Sequence, residues 1–393
     1  MSTMKPERGA VSIFIVMFTA LLVTIVTASF VQIMLRNQQQ ASNNDLSQSA
    51  YDSALAGVED AKRALVALKA CDKDPSPQCS NLRSALTNNG QNCEILADPS
   101  VGVTTFTNGE SQVGRASMNQ AYTCVKVQVI TDSYEGTLDR DQSVVIPLET
   151  VDDPNAIAGI RISWFTQDNI PDVDSSGNPI SQVPQFPTQP QLPAAADWSV
   201  RSPSIMRSQL IQFKEGELTL DSFDAANTNN AKTLFLYPAI FGAANLDFAS
   251  DGRQSPASRN YPAISRCDSA FSFNGGYACS TDIAVPALTG GTRKAYLQLT
   301  SLYNNATYKV QILGGSGNVI NFDNVQPIVD STGRASDLFR RIRARVAMSE
   351  GMPTTYPDAA LRLGKSLCKD FFVTNNGADY NGDTDSVTCE ADQ

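Results

Sequence analysis

The sequence predicts an α+β fold: a long N-terminal helix packed on an antiparallel β-sheet, followed by an enlarged, mostly β ectodomain that is rich in loops. Three observations support this prediction. Residues 9–35 carry no charge, and the helical pattern continues after them without Gly or Pro as far as Ala56. Short runs of alternating apolar and polar residues recur in the remainder. Eight cysteines fall two by two after the helix.

The first element is a membrane-spanning helix. About 20 apolar residues cross a bilayer, so residues 10–35 are long enough to span it. Lys5 and Arg8 precede the span and stay cytoplasmic, which places the acidic remainder outside. A cleaved secretory signal is the alternative, but it would have a shorter apolar region and a small-residue cleavage site. We therefore expect a single-pass anchor in the cytoplasmic membrane.

The second element, residues 36–69, continues the same helix with one apolar face towards a globular domain. Apolar residues recur there at spacings of four and three, as on one side of a helix. Together the two parts form one helix of about 60 residues, roughly 90 Å long. The predicted face consists of Leu46, Ala50, Ala54, Val58, Ala61, Leu65 and Leu68.

Strand patterns begin after this helix and a short helix at residues 82–86. We expect a pilin-sized region at 70–150, a Pro-rich β-containing insertion or second domain at 151–290, and C-terminal strands with a disulfide-closed loop at 291–393. A turn is expected at 314–318. The predicted strands are 122–130, 143–148, 160–165, 233–240, 294–302, 307–313, 319–322 and 341–346.

The composition argues against several functions. The chain of 393 residues has 42% hydrophobic and 18% charged residues, as expected for folded domains, but it has no histidine. That removes the commonest general base and metal ligand. No P-loop, dinucleotide or GxSxG motif occurs. A net charge of −10 repels phosphates and weighs against nucleic-acid binding. We expect no enzyme; a tethered carbohydrate-active enzyme using paired carboxylates is the remaining catalytic alternative.

The cysteines are read as disulfides. No CxxC motif occurs, so zinc or redox chemistry is weakly supported, and an oxidising compartment explains the even number. The alternative is that some are buried thiols. Proximity in sequence suggests Cys71–Cys79, Cys93–Cys124, Cys267–Cys279 and Cys368–Cys389.

The N-terminus combines three features. A short polar leader ends in Lys5-Pro6-Glu7-Arg8-Gly9, the apolar stretch starts at once, and residues 49–61 follow the alanine-rich form AxxAAxAGxExA. In these features the chain resembles the type IV pilin and pseudopilin family, and within it the PilX-like minor pilins. The resemblance covers about 65 residues.

The resemblance implies processing and assembly. A prepilin peptidase would cut between Gly9 and Ala10, leaving a helix that anchors the subunit first in the membrane and then among other pilin subunits of a fimbrial fibre. Most major pilins carry Glu at the fifth mature position, where this chain has Phe14. We therefore expect a minor subunit, located at the tip or along the fibre, that primes fibre assembly or provides cell adhesion to a host or surface receptor. The alternative is a membrane-anchored extracellular binding protein that joins no filament.

One acidic stretch near the C-terminus matches a calcium loop. Oxygen ligands at alternating places with a carboxylate at the twelfth suit Ca²⁺, and pseudopilins hold calcium in a C-terminal loop, so the resemblance supports it. Thr384 replaces the usual Gly at the sixth place, and a solvated acidic turn is the alternative. The weaker match at 172–177 is read as a solvated turn. The calcium ligands would be Asp379, Asn381, Asp383, Asp385 and Glu390.

Two further clusters each have two interpretations. The basic cluster either contacts an acidic partner or forms a sheet face whose guanidinium groups pair with the chain's own carboxylates; alternation favours the second. The aromatic group inside the 267–279 loop either forms a recognition tip or anchors the loop in the core, and we favour anchoring. The clusters are Arg334, Arg340, Arg341, Arg343 and Arg345, and Phe271, Phe273 and Tyr277.

Overall fold

The structure is a computed structural model that describes residues 10–72, 76–102, 120–187, 197–217, 231–248, 262–273 and 275–348. It contains the long N-terminal helix and the β-rich ectodomain that the sequence predicts. The helices are α1 (Ala10–Ala70) and α2 (Pro77–Asn89). The strands are, in chain order, β1 (Gln120–Thr131), β2 (Tyr134–Leu138), β3 (Ser143–Pro147), β4 (Gly159–Thr166), β5 (Ile205–Lys214), β6 (Ala231–Ala239), β7 (Asn245–Asp247), β8 (Ala263–Arg266), β9 (Tyr277–Ala284), β10 (Arg293–Leu302), β11 (Ala306–Leu313), β12 (Val319–Ile320), β13 (Phe322–Ala335) and β14 (Leu338–Arg345).

Helix α1 is continuous over 61 residues, because nothing before Gly57 interrupts its helical sequence. Its two parts have different surroundings. Every side chain from Phe14 to Asp45 is exposed. The predicted apolar face is buried from Ala50 to Leu68, with Leu46 half-buried at its edge. The globular domain therefore begins to cover the helix at Leu46.

The covered part of α1 lies on an antiparallel sheet with the order β1-β13-β14. Valines and tyrosine of β1 and the apolar side chains of α1 and α2 form one hydrophobic core. Two glycines allow a close approach. A Cβ at Gly57 would lie 2.4 Å from the Ser331 hydroxyl oxygen, and a Cβ at Gly333 would lie 2.1 Å from the Ala50 carbonyl oxygen.

The remaining strands form two more sheets with a common core. One has the order β3-β10-β5-β6-β8, and the other has the order β12-β11-β4-β9-β7, with β2 paired to β11. Buried side chains from both sheets, such as Trp164 of β4 and Leu210 of β5, belong to one hydrophobic cluster. The Trp164 indole N–H also donates to the Ser204 carbonyl oxygen at 3.0 Å. The two sheets therefore form a sandwich.

Strands from both sides of the expected boundary at residue 290 share these sheets. Strand β10 pairs with β5, and β11 pairs with β4. The stretches of sequence before and after residue 290 thus fold together in the sandwich. Strand β13 also follows residue 290, but it pairs with β1 in the sheet that lies against α1.

Three of the four expected disulfides are present in the described residues. Cys71–Cys79 ties the end of α1 to α2, Cys93–Cys124 ties the loop after α2 to β1, and Cys267–Cys279 closes a loop against β9. The three pairings suggested by proximity in sequence are thereby confirmed. The fourth pair, Cys368–Cys389, lies outside the described residues.

Candidate functional site: the exposed half of helix α1

The apolar half of α1 has a surface suited to an apolar environment. Phe14, Phe18 and Phe30 are 75%, 68% and 71% exposed. Its few hydroxyl groups are satisfied within the helix: Thr27 Oγ1 donates to the Val23 carbonyl oxygen and Ser29 Oγ to the Ile25 carbonyl oxygen, both at 2.8 Å. A helix that satisfies its own polar groups can lie in lipid, where no water is available to do so.

This helix is long and apolar enough to cross a membrane, which is consistent with a single-pass anchor. Its apolar stretch begins at Ala10, the residue that would follow the expected cut, while Gly9 lies outside the described residues. Phe14, the fifth residue after the expected cut, exposes its aromatic ring to the surroundings of the helix. The helix thus presents a carboxylate-free surface from Phe14 to Leu35.

A polar collar, residues 36–45, separates the apolar half from the globular domain. It holds Arg36, Asp45 and a run of Asn, Gln and Ser, all of them exposed. Ten helical residues rise about 15 Å. The collar therefore holds the domain away from the apolar surface without a hinge residue between them.

A buried hydrogen bond and an ion pair fasten the second half of α1 to the domain. Asp60 is 4% exposed; its carboxylate accepts a hydrogen bond from the Tyr122 hydroxyl at 3.0 Å and one from Arg63 at 2.8 Å. Lys69 Nζ lies 2.5 Å from a Glu149 carboxylate oxygen and 3.1 Å from one of Asp72. Burial acts to lower the pKa of Lys69, but the two carboxylates outweigh burial and raise it. These groups fix the helix on the domain.

The structure confirms that strand β14 has one apolar face and one basic face. Ile342 and Ala344 of β14 pack towards the α1 core. On the opposite face, Arg341 donates from both Nε (2.7 Å) and Nη2 to the Asp330 carboxylate, and Arg345 lies 2.9 Å from Glu135. The favoured self-pairing is therefore observed for two of the five arginines.

Two other arginines of the cluster behave differently from the expectation. Arg340 Nε donates to the Ser47 hydroxyl of α1 at 2.8 Å. Arg334 Nε donates to the Ser336 carbonyl oxygen at 2.6 Å, and its guanidinium carbon lies 5.6 Å from the centroid of the Phe339 ring. Arg334 lies near the end of β13 and Arg340 near the start of β14, on either side of the turn between these strands.

The aromatic group in the Cys267–Cys279 loop anchors that loop, as favoured. Tyr277 is 6% exposed, and burial, together with the negative charge of Glu135, raises its pKa to about 12. Phe271 packs against the sandwich core. Phe273 lies beneath the Arg266 guanidinium at 5.8 Å. The three aromatic rings of this loop therefore make their contacts within the protein itself.

The two acidic loops have different outcomes. In the turn at 172–177, the Asp174 carboxylate accepts hydrogen bonds from the backbone N–H groups of Asn178 and Ser176, at 2.9 and 2.8 Å. The Asn178 bonds, backbone first, hold the pKa of Asp174 below its usual value. This is the solvated turn that was expected. The stretch 379–390 lies outside the described residues, so calcium binding there stays a prediction. In the part of the chain that the structure describes, no group of three His, Cys, Asp or Glu side chains could hold a metal.

Some of the residues that organise this site were not singled out from the sequence. The Gly57 and Gly333 contacts and the bond from Arg340 to Ser47 are long-range features of the fold. Only one signal pointed to them: Ala50 and Ala54 are small residues on the predicted apolar face. Comparison of the chain with models of protein families, with curated proteins and with solved structures found no match.

Proposed function

We propose that this chain is a minor subunit of a type IV pilus or a related filament, positioned at or near the tip. One observation carries the proposal. A single helix is apolar and uncovered by its own chain over its first half, and is packed on a sheet over its second half. The uncovered half can lie in lipid as an anchor and later pack against the equivalent helices of other subunits.

The prepilin-like leader supports the same proposal. Lys5-Pro6-Glu7-Arg8-Gly9 immediately precedes Ala10, where α1 begins. A cut after Gly9 on the cytoplasmic side would leave the complete helix attached to the domain. A peptidase that removed the apolar segment as well would release the ectodomain from both membrane and fibre.

Two features favour a subunit used in few copies. Phe14 provides no carboxylate within the apolar part of the helix, and so cannot pair with the N-terminal amine of a neighbour. The sandwich adds a second core beside the domain that covers α1. Such mass is most easily accommodated on the outside or at the end of a fibre, where it can prime assembly or contact a receptor on a host or other surface.

The test is replacement of Gly9 by Val in the cells that make the filament. We expect a precursor that retains its leader, stays in the membrane fraction and disappears from sheared fibres. The wild-type protein should have Ala10 as its first residue by mass spectrometry and should copurify with sheared fibres. Thr3→Val changes the leader away from the cut and serves as the matched control, with normal processing.

Two results would contradict the proposal. A mature N-terminus far from Ala10 would remove the prepilin interpretation. Wild-type protein that is processed normally but never leaves the membrane fraction on shearing would instead support an anchored binding protein outside any filament. The two results are distinguishable because the first concerns the cut and the second concerns the destination of the cut protein.

A further inference from the structure

The turn between β13 and β14 lies beside α1 at the end of the domain nearest the apolar helix. We call residues 334–340 the hairpin tip. The position is set by two contacts: Gly333 approaches the backbone of Ala50 and Ala54, and Arg340 donates to Ser47. The exposed part of α1 begins at Asp45, two residues before Ser47. The hairpin tip is therefore the part of the sheet that reaches furthest towards the membrane span.

The hairpin is basic within an acidic chain. From Asp330 to Arg345 it contains five arginines and two aspartates, Asp330 and Asp337, whereas the whole chain has a net charge of −10. Asp330 is already paired with Arg341. At the tip, Phe339 is 57% exposed beneath the Arg334 guanidinium, and Arg340 is exposed. Asp337 and Asp45 offset part of this charge.

An exposed aromatic ring flanked by arginines has the chemistry of a membrane interface. Aromatic rings are favoured at the headgroup level, and long basic side chains place their charged ends among the headgroups while their methylenes contact apolar groups. Anionic lipids attract basic segments within about a Debye length of the surface. The tip thus complements an anionic bilayer surface in both charge and polarity.

The length of the span brings the tip towards that surface. Residues 10–35 of α1 measure about 39 Å at 1.5 Å per residue. A straight helix would fit all of them inside a hydrocarbon core about 30 Å thick at a tilt of about 40°, the upper end of the usual range. An untilted helix would leave apolar residues in water. The apolar length therefore favours a strongly tilted helix with one side of the domain turned down.

At that tilt the tip on the lower side reaches the headgroups. Ser47 lies about 18 Å beyond Leu35 along the axis, and about 14 Å above the hydrocarbon core when the helix is tilted. A hairpin packed about 10 Å to the lower side of the axis comes down to about 7 Å above the core. The headgroup layer itself extends about 5 to 7 Å. Arginine side chains cover any remaining gap.

We propose that the hairpin tip, through Arg334, Phe339 and Arg340, binds anionic lipid headgroups and holds α1 in a tilted orientation while the chain is in the membrane. The inference rests on the membrane stage of the proposed function, and needs no filament. Two members of the basic cluster, Arg341 and Arg345, are paired with carboxylates inside the molecule. The proposal assigns lipid binding to the two members at the tip, Arg334 and Arg340.

The experiment uses the full chain, with Phe339→Trp as a probe, in nanodiscs containing lipid brominated near the headgroup end of its acyl chains. The native Trp164 and Trp198 are buried and give a constant background. We expect quenching of the new indole to be at least twofold greater in discs with anionic lipid than in zwitterionic discs. Raising salt from about 0.1 M to about 1 M shortens the Debye length from about 10 Å to about 3 Å and should remove the difference.

Matched variants identify the groups responsible. Phe241→Trp places the same probe at a site in the sandwich that is 59% exposed, and should show little quenching in either disc. Adding Arg334→Gln and Arg340→Gln to the tip probe should abolish at least half of the anionic enhancement. Adding Arg140→Gln instead, at an arginine that is also exposed and lies between β2 and β3, should leave it unchanged.

Each of the remaining outcomes contradicts the proposal for a different reason. Equal quenching at positions 339 and 241, in discs that carry the protein, removes the lipid contact but leaves the anchor intact. Failure of the chain to float with lipid vesicles removes the span, and the hairpin proposal with it. If the fluorescence of the tip probe does not change with lipid but changes when polyglutamate or duplex DNA is added, the surface binds an acidic macromolecule instead.

Discussion

Single residues decide how closely α1 lies on its sheet. The helix presents only small residues to β13, namely Ala50, Ala54 and Gly57. The facing residues of β13, Ser331 and Gly333, are small as well. With larger residues the helix would stand further off, and Tyr122 could not reach the carboxylate of Asp60. The sequence pattern predicted that Ala50 and Ala54 are buried, but not what lies opposite them, because a partner 280 residues away leaves no local periodicity.

Gly333→Ala should destabilise the helix–sheet contact. Its new Cβ would lie 2.1 Å from the Ala50 carbonyl oxygen and 2.3 Å from the Ala54 amide nitrogen, both of them backbone atoms that cannot turn aside. Overpacking of this kind costs about 1 to 3 kcal/mol. Scanning calorimetry of the detergent-solubilised chain should show a lower melting temperature.

The matched control for that substitution is Gly315→Ala in the turn between β11 and β12. No atom lies within 4 Å of a Cβ built there, so the melting temperature should be unchanged. Equal effects of the two alanines would mean that α1 and β13 are not in close contact in solution.

Individual elements were predictable where burial alternated along the strand. Strands β1, β10 and β11 alternate apolar and polar residues, and the sequence located them within two residues of the observed ends. Strand β9 reads Tyr-Ala-Cys-Ser-Thr-Asp-Ile-Ala, and most of it is buried on both faces, so its polar residues hid the pattern. Strand β13 was mostly missed because proline and glycine, here Pro327 and Gly333, usually interrupt strands. The observed strand continues through both residues, with register shifts in its pairing with β1.

The pairing of β13 with β14 should have a weak acid dependence. The hydrogen bond from Arg341, reinforced by its charge, holds the pKa of Asp330 below its ordinary value of 3.8. Because the folded pKa is the lower one, the pair stabilises the fold fully above about pH 4 and loses this contribution as pH falls through the depressed pKa. Arg341 is 68% exposed, so screening by water keeps the contribution small.

Chemical denaturation of Arg341→Gln tests this dependence. The variant should be slightly less stable than the wild type near pH 7 and equally stable near pH 2. Arg140→Gln, which removes an arginine exposed beside Asp141, should show no such trend. A difference that persists undiminished at pH 2 would mean that packing of the arginine methylenes, not the ion pair, is responsible.

At the scale of the whole molecule, the sequence predicted the class of the fold but not the arrangement of its β part. Local patterns located β4, β6 and β10, but the order β3-β10-β5-β6-β8 joins residues up to about 150 positions apart. Nothing local encodes that order. The candidate site was more accessible to sequence reasoning, because an uninterrupted helix with an apolar first half is a local property.

The division of α1 into an uncovered and a covered half predicts where the chain can be shortened. Removing residues 1–45 discards the leader and the part of α1 whose described side chains are exposed, so the remainder should be soluble without detergent and keep its melting temperature. Removing residues 1–57 also discards Ala50, Ala54 and Gly57, and exposes the apolar face of β1 and β13. The longer deletion should cost about 2 kcal/mol or more and lower the melting temperature by about 4 °C. Calorimetry and gel filtration of both proteins measure this difference. Equal stability of the two would show that helix packing begins beyond Gly57, and aggregation of the shorter deletion would show that the collar, residues 36–45, belongs to the folded domain.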